Sequence, residues 1–156
     1  MSIKEEAAKM KLASPFMASA PAEKRNSALL HMIENLEAGK EKIFAANRID
    51  LAAAKASGLP PAVMKRLAFD EGKLADSISG IRQLISLPDP VGKVTLARQL
   101  DEGLRLYRCS CPIGVIAMIF EARPDAMIQI SSLAVKSGNC AILKGGKETK
   151  DCLLYT

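Results

Sequence analysis

Tryptophan is absent from this chain, histidine occurs once, and there are only two Tyr and four Phe. So few aromatic rings leave little for base stacking, which argues against a nucleic-acid partner. The single histidine, His31, lies in the helical pattern Ala28–Ile33, so a helix-surface position is expected for it. A mixed Cys/His zinc site or a Ser-His-Asp triad would have to use that one residue. The four cysteines, Cys109, Cys111, Cys140 and Cys152, show neither a C-x-x-C pair nor a zinc-site spacing, and no metal centre is expected. Long apolar runs are lacking too: Ile113–Phe120 is far too short to cross a bilayer. No basic segment leads into an apolar one at the start, because Met1–Glu6 is already amphipathic. A cytoplasmic chain with reduced thiols and no membrane partner is the expectation.

Blocks of like charge are also missing. Lys and Arg number 22 against 17 Asp and Glu, a formal +5, but the two signs are interleaved. That pattern argues against a nucleic-acid arm and suits either a basic solvated surface or a site for anionic small molecules. What remains is a globular composition, with 49% apolar and 25% charged residues over a length of 156.

The first 88 residues read as helix throughout. Ile3 to about Ala18 is Ala/Met/Lys-rich, and Pro21 stands where a first-turn proline belongs. Leu29, Ile33 and Leu36 recur at helical spacing. Gly39 suggests a pause before a further helix from Glu41 to Lys55, stopped by Ser57-Gly58-Leu59-Pro60-Pro61. A short helix over Val63–Ala68 and an amphipathic one through Leu74, Ile78, Ile81 and Ile85 follow, closed at Pro88.

Beyond Pro88 the texture changes. Val94–Ala97 and Leu104–Arg108 predict a hairpin around Asp101-Glu102-Gly103. Ile113–Phe120 predicts a strand buried on both faces, Asp125 a cap for a helix to about Lys136, and Cys140–Lys144 a second buried strand. Strand, helix and strand form a βαβ unit with parallel, right-handed connection. Gly145-Gly146 then falls at the carboxyl end of the second strand, where open α/β sheets bind ligands. The G-x-G-x-x-G fingerprint is absent. In its place stands Lys144-Gly145-Gly146-Lys147-Glu148, two glycines between two lysines able to meet phosphate or ribose oxygens. A plain polar turn before a helix is the alternative reading of that stretch alone.

The surroundings make it specific. Asp89-Pro90-Val91-Gly92, Gly103-Leu104-Arg105-Leu106, Pro112-Ile113-Gly114-Val115-Ile116, Glu121-Ala122-Arg123-Pro124, Lys136-Ser137-Gly138-Asn139 and the Lys-Gly-Gly-Lys-Glu stretch occur in this order. The series resembles the gamma-glutamyl phosphate reductase (glutamate-5-semialdehyde dehydrogenase) family of the aldehyde dehydrogenase superfamily. Ala45-Ala46-Asn47 and Ser57-Gly58-Leu59 extend the resemblance into the helical half, so that it covers essentially the whole chain.

The resemblance implies an α/β fold: a helical segment over 1–88, a β-hairpin over 89–111, and over 112–156 the start of a Rossmann-like NADP-binding sheet. It implies reduction of L-glutamate 5-phosphate by NADPH to L-glutamate 5-semialdehyde and phosphate, in proline biosynthesis. A cysteine thiolate attacks the acyl phosphate and hydride then reduces the thioester. Lys144, Gly145, Gly146 and Lys147 are the implied cofactor contacts, Lys144 at the adenosine ribose. Lys147 stands where NAD-preferring relatives carry a glutamate, which suits a 2′-phosphate. Arg123 is the candidate substrate contact, for phosphate or carboxylate; pairing with Glu121 or Asp125 is its alternative. Glu121 replaces the asparagine that helps form the superfamily's oxyanion hole, and no such role is assigned to it. No catalytic residue is expected in this chain, because the family nucleophile lies beyond the point matching Thr156. The chain accordingly reads as an amino-terminal part, inactive alone, of an enzyme that forms homo-oligomers. A non-catalytic dinucleotide-binding or assembly module and another aldehyde dehydrogenase are the alternatives.

Overall fold

Two of the helices start on side-chain caps, and prolines stand at the start of others. In the computed structural model, which describes residues 2–154, Ser2 opens α1 (Ile3–Ala18) with a capping box. Its hydroxyl accepts the Glu5 amide, and the Glu5 carboxylate accepts the Ser2 amide. α2 (Ala22–Ala56) ends at Ser57-Gly58 as expected. α3 spans Pro61–Leu67, and α4 (Glu71–Ser86) is capped by Asp70, whose carboxylate accepts the Lys73 amide.

Two helix expectations are corrected. Gly39 does not interrupt α2, which is one helix of 35 residues. A glycine inside a helix costs about 1 kcal/mol, and burial of Leu36 and Ile43 on either side outweighs it. Pro21 sits at the N-cap of α2, one step before the first turn.

The core centres on α2, α4 and Phe69, with Leu29, Ile33, Ile43, Leu74 and Ile81 buried, and Ile128 and Cys152 join it from the second half of the chain. Buried Asn47 replaces a missing ladder at the α3–α4 junction: its amide donates to the Leu67 carbonyl at 2.9 Å and its oxygen accepts the Phe69 amide at 2.8 Å. His31 is exposed on α2, as its pattern predicts. No helix among the described residues is long and apolar enough to cross a membrane.

β1 (Val94–Asp101) and β2 (Leu104–Cys109) pair antiparallel and are exposed along nearly their whole length. Gly103, at φ +75°, supplies the left-handed residue this turn requires. β3 (Val115–Ile119) and β4 (Cys140–Lys144) pair in parallel register, Val115 with Cys140 through Ile119 with Lys144, and α5 (Pro124–Lys136) connects them. The strand is shorter than the Ile113–Phe120 run and is not buried on both faces: Ile119 is 74% exposed. β3 and β4 pair only with each other among the described residues, and the end of β3 has no layer packed over it. Asp125 does not cap α5. Arg123 holds the N-cap without a side-chain bond and Pro124 takes the first turn, so the Asp125 carboxylate is free to turn to Arg123. After β4 a 3₁₀ turn over Lys147–Thr149 leads into α6 (Lys150–Leu153).

Two polar knots join the halves. Arg25 of α2 is buried and donates to Asp89 at 2.6 Å and to the carbonyls of Ala20 and Lys136. Lys136, also buried, donates to Asn26 Oδ1 and to the carbonyls of Ile85 and Leu87 at 2.9–3.1 Å. Asp50 of α2 accepts the amides of Asp151 (3.1 Å) and Cys152 (2.8 Å).

Candidate dinucleotide site

The carboxyl ends of β3 and β4 open onto a cleft of about 570 Å³. Its floor comes from the end of α2 (Asp50, Ala53, Ala54, Ser57), one wall from Leu59, Val63 and Arg66, and the rest from Glu121, Ala122, Lys147, Glu148, Lys150 and Asp151. The loops meet there because parallel register aligns the strand ends, and the Phe120 amide donates to the Lys144 carbonyl at 3.1 Å.

Of the residues singled out in the sequence, Lys147 and Glu121 reach this cleft. Lys144 is exposed at the end of β4, outside the lining. Neither Lys144 nor Lys147 has an ion-pair or hydrogen-bond partner for its ammonium among the described residues, which leaves both available to an anion. The space beside Gly145 and Gly146 is filled by the ends of neighbouring side chains. A Cβ at Gly145 would collide with Leu153, and one at Gly146 with the carboxylate of Glu148. Backbone approach here is used by the chain itself.

Arg123 lies outside the cleft lining, 49% exposed, and donates to Asp125 Oδ2 at 2.8 Å. The hydrogen bond to Asp125, and then its charge, push the guanidinium pKa further up. The second Asp125 oxygen is buried without a partner. The pairing with Asp125 that the sequence left open is thus formed, and an anion reaching Arg123 would share the guanidinium with that carboxylate.

Three cleft residues were missed by sequence reasoning. Asp50 is buried, and desolvation pushes its carboxyl pKa up while the Cys152 and Asp151 amides oppose the shift. Its spacing of three from Asn47, on one helix face, was the available signal. Arg66 brings a third cation, and Glu148 accepts the Ala122 amide at 2.5 Å. Ala122 is the one non-glycine residue at positive φ (+48°) among those described. None of the four cysteines lines the cleft; Cys109 and Cys111 are exposed at the hairpin's end, Cys140 is half-buried in β4 and Cys152 buried in α6. No group of three or more Cys, His, Asp or Glu able to hold a metal occurs among the described residues.

Fold and site together define an α/β protein of the open-sheet class, with its cleft at the carboxyl ends of parallel strands. No family model matches the chain. It is 49% identical over 151 residues to a gamma-glutamyl phosphate reductase of Pelotomaculum thermopropionicum and 50% identical over 151 residues to one of Acetivibrio thermocellus, each alignment covering 97% of this chain and 35% of the relative. The solved gamma-glutamyl phosphate reductase of Saccharomyces cerevisiae superposes with a TM-score of 0.91 at 42% identity, over 97% of this chain and 39% of that one. The Thermotoga maritima enzyme gives 0.92 at 32% identity, over 97% and 36%. The chain belongs to the gamma-glutamyl phosphate reductase family and matches its amino-terminal part. It spans about a third of the length of the curated relatives it matches.

Proposed function

We propose that this chain is the amino-terminal, cofactor-side portion of a cytoplasmic reductase that converts L-glutamate 5-phosphate and NADPH to L-glutamate 5-semialdehyde and phosphate, a step of proline biosynthesis. The observation that carries the reading is the relation to reductases over 97% of the chain at about half identity. In this reading residues 1–88 buttress the sheet, 89–111 form a hairpin for contact between copies in a homo-oligomer, and 112–156 begin a Rossmann-like cofactor domain. The exposed β1–β2 ribbon supports the second assignment, since a two-stranded hairpin is marginal without something packed on it.

The residues present fit a dinucleotide phosphate. Lys144 is assigned to the adenosine ribose, Gly145 and Gly146 to the turn that brings the backbone near it, and Lys147 to the 2′-phosphate. The unpaired ammoniums of Lys144 and Lys147 support an anionic group at the end of β4, while the cleft beside them carries Asp50, Glu121, Glu148 and Asp151 as well as Arg66 and Lys150. What a bound nicotinamide supplies is hydride. Arg123 is assigned to the substrate's phosphate or carboxylate, bidentately, with Asp125 orienting it. The nucleophile is assigned to the portion of the family that the chain does not span.

The test is a chimera in which residues 1–156 replace the matching part of the Acetivibrio thermocellus relative. NADPH oxidation dependent on glutamyl phosphate is the expected result, with none from residues 1–156 alone. Binding of NADPH by a chimera without turnover would overturn the reductase assignment in favour of a binding module.

A further inference from the structure

Glu148 is the cleft residue to which the reductase reading gives no task. Its carboxylate reaches across 26 positions of sequence to accept the Ala122 amide at 2.5 Å. The side chain folds back over Gly146, where any Cβ would occupy the space of the carboxylate. The amide it holds belongs to a buried residue at φ +48°, a region that an alanine adopts only when its surroundings enforce it. Three features that are separately unusual, a residue without a side chain at 146, a strained alanine at 122 and a carboxylate between them, therefore form one device. A hydrogen bond to an ionised acceptor is about twice as strong as a neutral one, which suits an acceptor that must maintain strain.

We propose that Glu148 is a positioning residue that clamps the loop after β3 to the loop after β4, so that Glu121 on one side and Lys147 on the other face the cleft in fixed register, with Arg123 and Lys144 held beside it. Without the carboxylate, Ala122 relaxes toward its preferred backbone basin, and the residues on either side of it, Glu121 and Arg123, turn with it. Glu148 does its work through Ala122 and not through contact with the reacting atoms. The clamp itself stands on the loop geometry; its consequence for ligands rests on the dinucleotide reading.

The experiment has two arms. Amide hydrogen exchange of the 120–123 segment is followed in residues 1–156 and in the chimera described above. Glu148→Ala is expected to speed exchange there about tenfold, the loss of one charge-assisted bond, while leaving the α2 core amides unchanged. Glu148→Gln, which keeps a carbonyl acceptor, should stay within about threefold of the parent. In the chimera, Glu148→Ala should raise KM for NADPH and for glutamyl phosphate together by about tenfold, with a smaller change in kcat. Ala122→Gly, which makes positive φ accessible without the clamp, should reduce the effect of Glu148→Ala on both constants. Unchanged exchange at 120–123, equal effects of Gln and Ala, or full additivity with Ala122→Gly would each overturn the clamp. A parent chimera without turnover whose exchange pattern follows the clamp would sink the reductase reading and leave the clamp standing.

Discussion

The helical half and the βαβ half of this chain are held by different forces. Between α2 and α4 the apolar residues close on one another, and Leu29, Ile43, Leu67 and Ile81 are fully or almost fully buried. Around β3 and β4 the apolar residues are as dense in the sequence, yet Ile113, just before β3, and Ile119, at its end, stand in solvent. What fixes this second half to the first is both apolar and polar: Ile128 and Cys152 enter the core of the helical half, while Arg25 meets Asp89 and Lys136 at one end and Asp50 the start of α6 at the other. The comparison teaches that apolar density alone does not make a core; a strand becomes core only when something lies on each face.

Mutations separate the two regimes. The largest effect is expected in the helical half. Leu29→Ala should lower stability by about 3–4 kcal/mol, read as a shifted denaturant midpoint at constant slope, since its site is fully enclosed. A loss under about 1 kcal/mol would break the distinction between the halves.

Next comes the polar knot. Asp89→Ala strands the buried Arg25 guanidinium and should cost about 2–3 kcal/mol, less than a wholly buried pair because Asp89 is 33% exposed. The same residue sets an acid limit. The Val91 amide, and after it Arg25, hold the Asp89 carboxyl below its usual range against the opposing effect of desolvation. A depressed carboxyl pKa contributes stability that is complete above the unfolded value of about 4 and is lost as pH falls through the folded value. Stability should therefore drop below about pH 4, and Asp89→Asn should flatten that limb. Asp50, whose carboxyl burial raises, acts in the opposite sense: its desolvation penalty is relieved as it protonates.

The cleft should respond in ligand preference more than in stability. In the chimera, Lys147→Glu should weaken NADPH relative to NADH by about 1–3 kcal/mol, read from the two Kd values. Equal losses for both cofactors would remove the 2′-phosphate assignment. Arg123→Ala should raise KM for glutamyl phosphate about tenfold and leave NADPH affinity unchanged. A fall in Tm with unchanged KM would assign the arginine wholly to its ion pair with Asp125.

The smallest effect is expected on the open strand. Ile119→Ser should change unfolding stability by less than about 0.5 kcal/mol, because the side chain is 74% exposed. It should instead reduce self-association of residues 1–156, measured by sedimentation, since an exposed apolar strand edge is what promotes it. A stability loss above about 1 kcal/mol would mean that the two halves do not differ as described.

Much of this was legible in the residues. The stops at Ser57-Gly58 and Ser137-Gly138, the hairpin turn at Gly103 and the parallel pairing of β3 with β4 follow from local patterns and short spacings. Family membership was legible as well, through ordered motifs that outlast any single helix or strand. The misreadings have a common origin. Gly39 reads as a break because helix propensity is local, whereas the burial of Leu36 and Ile43 on either side of it depends on core residues distant in sequence. Asp125 reads as a cap because Asp favours that role, and only the placement of Arg123 diverted its carboxylate.

The sequence by itself determined the elements, their order and the kin of the chain, because these depend on propensities and motifs carried by neighbouring residues. Tertiary structure alone decided which polar side chains meet. Glu148 finds Ala122 across 26 positions, Arg25 finds Asp89 across 64, and Asp50 finds Cys152 across 102. Such meetings are set by how helices and strands pack, and the resulting bonds persist because an unpaired polar group in those buried places would cost more than the packing could tolerate.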